Sequence, residues 1–235
     1  MEFQTTHWSV VLRAGETNAP DQAPALEKLC QAYWQPVYFF ARRRGYSDAD
    51  AKDHTQQFFT RLLARNDFAG LDPARGKFRT FLLAAFTHFL ANEYDRATAQ
   101  KRGGTTLALP LHELTDEQLA GFPGGGELTP AGSFDRAWAQ AIQARAMAAL
   151  KSELRDGGKK RHLELLKPFL TREGDAGSYA RAGEQLEVAA KSVPVLVHRL
   201  RQRYRELVRA ELAQTVATPT DLEEEMRHLL AVLNG

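Results

Sequence analysis

The chain has 235 residues, 43% of them hydrophobic, so it is long and apolar enough to bury one large core or two small ones. Its net charge of +2 is unevenly distributed. Residues 26–103 carry 13 Lys and Arg against 8 Asp and Glu, and residues 151–215 carry 14 against 9, whereas the remaining segments sum to −8. Composition therefore excludes a disordered tail, and two basic blocks predict two separate contacts with a polyanion.

The compartment is predicted from what the sequence lacks. Cys30 is the single cysteine, so no intrachain disulfide can form, which favours a reducing cytoplasm. The opening MEFQTTHWSVV has no basic stretch followed by an apolar run, unlike a signal peptide. No stretch of about 18 apolar residues suits a membrane-spanning helix. We therefore expect a cytoplasmic protein with no membrane partner.

Helical periodicity without sustained two-residue alternation predicts an all-α fold. The first helix is predicted over residues 25–44, with a kink at Pro36 and a stop at Gly45. Ser47 and Asp50 resemble a capping box and predict the start of a second helix that ends near residue 65. The stretch ARNDFAGLDPARGKFRTF contains Gly and Pro and predicts a structured loop before a third, Phe-rich helix. We expect the Phe stripe of that helix to be core packing.

The second half contains a predicted helix-turn-helix. Gly- and Pro-rich residues up to 134 predict a linker, and helices follow at 135–152, about 160–171 and 178–186. SYARAGEQLEVAAKSVPVLVHRL then predicts a turn near Glu187 and a basic amphipathic helix containing Pro194. A helix start near Ala189 or Ala190 puts Pro194 at the edge of the first turn; a start near Val193, capped by Ser192, removes the conflict.

The last predicted helix, residues 218–233, begins at Thr218-Pro219 and is acidic at its start. We expect it to dock on protein instead of DNA, either as a packing element or as a regulatory segment that folds over a basic domain. The predicted architecture is thus two small helical domains joined by a linker, plus an amphipathic C-terminal helix. Its segments are residues 1–24, 25–103, 104–134 (linker), 135–215 and 216–235.

No enzymatic constellation is present. None of the seven histidines has metal-ligand spacing with cysteine or carboxylate, and DADAKDHTQQFF has Lys52 at the third ligand position of a calcium loop. GFPGGGE lacks the Lys-Ser/Thr of a phosphate-binding loop. The sequence therefore predicts no catalytic residues, no metal site and no cofactor.

Several stretches resemble the extracytoplasmic-function (ECF) sigma factors, the small two-domain initiation subunits of bacterial RNA polymerase. The resemblance covers roughly residues 4–215. It is carried by TTHWSVVLRAG, YWQPVYFFARRRGYSDADAKDHTQQFFTRLL, DPARGKFRTFLLAAFTHFLANEYDRATAQKRGG, LKPFLT, SYARAGEQL and VHRLRQRYRELVRAELAQTV.

For residues 25–103 the resemblance implies the sigma region-two-like domain, which binds the clamp of the polymerase's largest subunit and melts the minus-ten promoter element. The implied polymerase contacts are Asp50, Asp53, Gln56, Gln57, Phe58, Arg61 and Leu62. The implied minus-ten surface, where unstacked bases need stacking partners and phosphates need cations, consists of Phe68, Lys77, Arg79, Asn92, Tyr94, Asp95, Arg96, Lys101 and Arg102.

For residues 135–215 the resemblance implies the sigma region-four-like helix-turn-helix that reads the minus-thirty-five element. The implied DNA contacts are Lys191, His198, Arg199, Arg201 and Arg205. The implied partners are core RNA polymerase (clamp and flap) and promoter DNA, with an anti-sigma protein or other regulator as a further candidate. Departures from the family pattern at Glu187, Ala189 and Pro194 favour an alternative, a sigma-like adaptor that reads promoters poorly. A DNA-binding protein independent of polymerase is a third reading.

Overall fold

The computed structural model of the protein describes residues 22–64, 77–102, 129–214, 216 and 218–234. Within those ranges the chain forms helices and no β-strand, which confirms the all-α prediction for the described residues. The α-helices are α1 (Gln22–Arg43), α2 (Asp48–Ala64), α3 (Phe78–Arg102), α4 (Pro130–Asp156), α5 (Lys160–Leu166), α6 (Ala176–Leu186), α7 (Val193–Ala213) and α8 (Pro219–Asn234). Short 3-10 helices span Lys167–Leu170 and Ala190–Ser192.

Local signals set the junction between α1 and α2. Gly45 adopts a left-handed conformation with φ 96°, and its backbone N–H donates to the Arg42 carbonyl at 3.1 Å, which confirms the predicted stop. Ser47 Oγ accepts from the Asp50 backbone N–H at 3.1 Å and donates to the Asp50 carboxylate at 2.6 Å. The predicted cap at the start of α2 is therefore confirmed.

The chain divides into two compact units, one spanning Met1–Ala141 and Leu212–Gly235 (unit 1) and one spanning Ile142–Glu211 (unit 2). Aromatic rings fill the core of unit 1: Phe58 packs edge-on against Phe86 and Phe89 at 5.0 and 5.7 Å, and all three are buried. The Phe stripe of α3 is core packing, as predicted.

Helix α4 begins inside the segment that the sequence predicts as linker. Thr129 Oγ1 accepts from the Gly132 backbone N–H at 3.0 Å, and Pro130 is the first residue of α4. A helix begins here although the neighbouring residues are rich in glycine, because the backbone of proline already has the conformation of a first helical turn. The part of the predicted linker before residue 129 lies outside the described residues.

Helix α8 belongs to unit 1, where Leu222 and Leu229 are buried. This confirms that the acidic C-terminal helix docks on protein. Among the residues that the structure describes, no helix has both the length and the apolar character needed to cross a membrane. The same residues contain no group of three or more His, Cys, Asp or Glu side chains arranged to hold a metal ion.

Candidate nucleic-acid interface

The outer face of α2 gathers most of the polymerase contacts implied by the resemblance. Asp53, Gln56, Gln57 and Arg61 line one open cavity of about 530 Å³. Asp50 lies one turn earlier and is exposed, and its backbone N–H donates to the capping Ser47 Oγ. The face is therefore polar and accessible, and it can hydrogen-bond a protein partner.

Two residues of the implied polymerase set do not reach this face. Phe58 and Leu62 are 0% and 1% exposed, because they belong to the apolar stripe that packs α2 on α3. Their prediction as contact residues was wrong, since a partner cannot touch side chains that the core already surrounds. Of the implied polymerase contacts, only the polar residues lie on the accessible face of α2.

Arg61 and Arg96 share one carboxylate. Arg61 Nη1 donates to Glu93 Oε1 at 2.6 Å and Arg96 Nη1 donates to the same atom at 2.8 Å. The Arg61 guanidinium also lies over the ring of Phe89, 5.0 Å from its centroid. Glu93 thus orients two predicted contact residues. Glu93 was not singled out from the sequence, although residues three apart on one helix are neighbours and the spacing from Glu93 to Arg96 predicts an ion pair.

Farther along α3, Tyr94 and Asp95 line an open cavity of about 490 Å³ with Arg44 and Tyr46. The Tyr94 side chain is 66% exposed, so its ring face is accessible to a stacked base. Asn92 is half-buried on the same helix. Phe68 lies outside the described residues, and so do the side chains of Lys101 and Arg102 at the end of α3.

Lys77 and Arg79, predicted to contact phosphates, are bound by carboxylates of unit 1 instead. Arg79 is 12% exposed; its Nη1 donates to Asp135, and its Nε and Nη2 each donate to Glu225 at 3.3 Å. Lys77 Nζ lies 3.4 Å from Glu225 and 3.0 Å from Glu224. Both acidic neighbours of Lys77 come from α8.

This ion cluster corrects the prediction for Arg79. Burial disfavours its charge, but Glu225 and Asp135 outweigh burial and raise the pKa of Arg79 above its ordinary value. The guanidinium also stacks on Trp138 at 5.1 Å. With Nε, Nη1 and Nη2 all donating to carboxylates and one face stacked on Trp138, Arg79 is not available to a phosphate in this conformation. Glu225 was missed, yet it falls on the apolar face of α8, three residues after Leu222 and four before Leu229, which marks it as a buried acid.

In unit 2, α6 is followed by a turn, the 3-10 helix Ala190–Ser192 and α7, the segment for which the sequence predicts a helix-turn-helix. Asp175 caps α6 by accepting from the Ser178 backbone N–H at 2.7 Å, and this hydrogen bond lowers the pKa of Asp175. Helix α6 ends at Glu187, which is left-handed with φ 58°. The Val188 backbone N–H then donates to the Gly183 carbonyl at 2.9 Å. A Cβ on Gly183 would lie 2.9 Å from the Val188 carbonyl oxygen, so the turn can close only over a glycine.

The sequence allows two starts for the helix that contains Pro194, one near Ala189 or Ala190 and one near Val193, and the observed start of α7 decides between them. A single 3-10 turn, Ala190–Ser192, precedes an α-helix that begins at Val193, so the later start is the observed one. Pro194 is therefore the second residue of α7, where a backbone N–H has no acceptor within the helix. The proline breaks no hydrogen bond of α7.

Four of the five predicted minus-thirty-five residues are exposed: Lys191, His198, Arg199 and Arg205. His198 and Arg205, seven residues apart in α7, share one helix face, whereas Lys191 lies in the preceding 3-10 turn. Val195, 51% exposed, lies one turn before His198 on that side of α7, and sequence reasoning missed it. An exposed apolar side chain there suits the methyl group of thymine.

Arg201 is the exception among the predicted minus-thirty-five residues. Its Nε donates to the Phe169 carbonyl at 2.8 Å and its Nη2 donates to the Arg172 carbonyl at 2.7 Å. Arg201 thus holds the end of the 3-10 helix Lys167–Leu170 through its Nε and Nη2 groups. Its assignment to DNA stays a prediction, in which only the remaining donors of this half-buried guanidinium could take part.

Comparison with family models, curated proteins and solved structures finds no match for this chain.

Proposed function

We propose that this protein is a sigma factor, a dissociable subunit that binds core RNA polymerase and directs promoter recognition and melting. The observation that carries the proposal is the exposed basic side of α7 and of the 3-10 turn before it, which follow α6 closely, with Lys191, His198, Arg199 and Arg205 accessible. A helix of this kind, lying in the major groove, reads base edges with the residues of its first turns.

The α2 face supports the polymerase half of the proposal. Its polar residues are exposed along one cavity while the opposite side of the helix is core. That division of faces is suited to a helix that docks on a second protein through hydrogen bonds. Tyr94, exposed on α3, supports the proposed role in promoter melting, because a base that has left the stack needs an aromatic surface to stack on.

A reconstitution with core polymerase tests the proposal. The purified chain is mixed with bacterial core polymerase and assayed for co-elution and for promoter-specific transcripts from a library of genomic fragments. We expect both, and we expect Gln56→Ala with Gln57→Ala to weaken co-elution. Thr60→Ala, on the same face of α2 but outside the implied contact set, is the matched control. Absence of co-elution would remove the sigma reading.

The DNA half is tested by the salt dependence of duplex binding. If Arg199 contacts a phosphate, Arg199→Ala should reduce the slope of log affinity against log salt concentration by about 0.9. Arg155→Ala removes the same charge from an exposed position on α4 and should leave the slope unchanged. Equal slopes for the three proteins would argue against a phosphate contact by α7.

The second candidate function is a sigma-like adaptor that binds polymerase or a partner protein and reads promoters poorly. It is favoured by one specific observation: Arg79 and Arg201, two of the predicted DNA contacts, have their guanidiniums occupied by groups of this chain. Binding to core polymerase without a transcript from any fragment would establish this reading over promoter recognition.

A further inference from the structure

Two arginines on neighbouring helices of unit 1 converge on a single carboxylate oxygen. Arg61 comes from α2 and Arg96 from α3, and the Nη1 atom of each donates to Glu93 Oε1, at 2.6 and 2.8 Å. Neither guanidinium has another carboxylate partner among the residues that the structure describes. Two guanidiniums directed at one anionic oxygen form an arrangement suited to phosphate, because the planar fork of N–H donors matches the phosphate oxygens.

The carboxylate between these arginines is accessible enough for an external anion to replace it. The Arg61, Glu93 and Arg96 side chains are 32%, 19% and 34% exposed, and ion pairs that water reaches contribute little to stability. The cluster around Arg79 differs, because its side chains are at most 12% exposed. Both hydrogen bonds of Glu93 end on the same oxygen, so rotation of this one side chain releases both arginines together.

Two aromatic rings next to the arginine pair favour nucleic acid as the source of the phosphate. The Arg61 guanidinium lies over the ring of Phe89, 5.0 Å from its centroid, and this contact keeps it in place when the carboxylate leaves. The ring of Tyr94, the residue after Glu93, is 66% exposed and gives a base of the same strand a surface to stack on. An acidic protein segment has no base to place on that ring.

We propose that Arg61 and Arg96 form a phosphate-binding site for single-stranded nucleic acid, and that Glu93 is the internal competitor that the phosphate displaces. The carboxylate sets the affinity of the site, because an anion that reaches only one arginine leaves the other paired with Glu93. For Arg96, which the resemblance assigns to the minus-ten element, the proposal rests on the proposed function. It gives Arg61 a second role beside the implied polymerase contact.

The test is the binding of a fluorescein-labelled oligothymidylate of about 12 nucleotides to the full chain. Glu93→Gln keeps the shape of the side chain and removes its charge, so binding should tighten roughly three- to tenfold. Arg61→Ala and Arg96→Ala should each weaken binding, and each should reduce the slope of log affinity against log salt concentration by about 0.7.

The decisive measurement is the effect of Glu93→Gln in a variant in which Arg61 and Arg96 are both alanine. Because the carboxylate acts by occupying these arginines, its removal should have no effect once they are absent, so the substitutions should be strongly non-additive. A general effect of net charge would tighten binding equally in both backgrounds. Measurement at low salt strengthens the remaining contacts and so extends the measurable range.

Asp48→Asn is the matched control for Glu93→Gln. It removes one carboxylate from α2, where Asp48 pairs with Lys52 at 2.8 Å, and it changes the net charge by the same amount. Binding of the oligothymidylate should stay unchanged in this variant. Thermal unfolding checks that each variant is folded.

Four results would overturn the proposal: no binding of the oligothymidylate by the unaltered protein, equal binding by the Glu93→Gln variant, the same gain from Glu93→Gln when both arginines are absent, or displacement of the oligonucleotide by polyglutamate at equal charge concentration. The last result would identify an acidic protein segment as the partner. Co-elution with core polymerase separates this proposal from the proposed function. A chain that shows the Glu93 effect without co-elution keeps the site and loses the sigma reading, whereas co-elution without the Glu93 effect removes the site alone.

Discussion

Removing the Glu225 carboxylate should destabilise unit 1 strongly. This group is 1% exposed and accepts from Arg79 Nε and Nη2 at 3.3 Å, with Lys77 Nζ at 3.4 Å. Among the residues that the structure describes, Glu225→Ala leaves Asp135 as the only carboxylate paired with the buried Arg79 guanidinium. Breaking a buried ion pair by removing one partner costs roughly 3–5 kcal/mol, and since Asp135 stays in place we expect about 3 kcal/mol.

The assay is thermal unfolding followed by far-ultraviolet circular dichroism. For a unit of this size each kcal/mol lowers the melting temperature by about 2–4 °C, so Glu225→Ala should lower it by roughly 6–12 °C. Glu225→Gln keeps the shape and one acceptor while removing the charge, and its loss should be smaller. The free energy of unfolding from urea titration provides an independent value.

Glu224→Ala is the matched control for this prediction. Glu224 is the preceding residue of α8, but its side chain is 44% exposed and its partner is Lys77, at 3.0 Å. Exposed ion pairs contribute about 0–1 kcal/mol, so this variant should unfold close to the unaltered protein. Equal destabilisation by the two substitutions would refute the reasoning, because burial of the Glu225 carboxylate would then have no energetic consequence.

Three further predictions concern unit 2. Arg201→Ala removes two hydrogen bonds to carbonyls and should cost about 2 kcal/mol in urea unfolding without changing the salt dependence of duplex binding; a flattened slope would restore Arg201 as a DNA contact. Pro194→Lys adds an exposed cation near Lys191 and should steepen that dependence by about 0.9, whereas an unchanged or weaker complex would make the late start of α7 part of the specificity. Asp175, whose pKa is lowered by the Ser178 N–H, stabilises α6 at pH values above its ordinary pKa of about 3.9, and this stabilisation is lost as the pH falls through the lowered pKa. Asp175→Asn should reduce the fall in melting temperature between pH 6 and pH 3, and an unchanged fall would assign it to other carboxylates.

Helix ends were predictable wherever a short-range signal fixed them. Gly45 ends α1 and Ser47 begins α2 as the sequence indicated, because each acts through backbone groups within four residues. Thr218 begins α8 in the same way, accepting from the Asp221 backbone N–H at 3.1 Å. Thr129-Pro130 is the same signal as Thr218-Pro219, but it stands among glycines and was interpreted as linker.

The partners of charged residues were not predictable, because they lie far apart in the sequence. Arg79 and Glu225 are separated by 146 residues, and Arg201 and Phe169 by 32. Periodicity shows that an arginine lies on a polar face but not whether another helix brings a carboxylate to it. Three cations that the resemblance assigned to DNA, Lys77, Arg79 and Arg201, are therefore held by groups of this chain, and Phe58 and Leu62 lie in the core.

The late start of α7 bears on what the helix-turn-helix can read. Because the α-helix begins at Val193, Pro194 occupies a first-turn position and costs the helix no hydrogen bond. Its exposed ring and Val195 replace polar side chains at the end of the helix that would enter a major groove. On the proposed function, hydrogen bonds to base edges would then fall to His198, one turn later, while Arg199 contacts a phosphate. We therefore expect discrimination of thymine through its methyl group near the helix start, with the charged contacts concentrated farther along the helix.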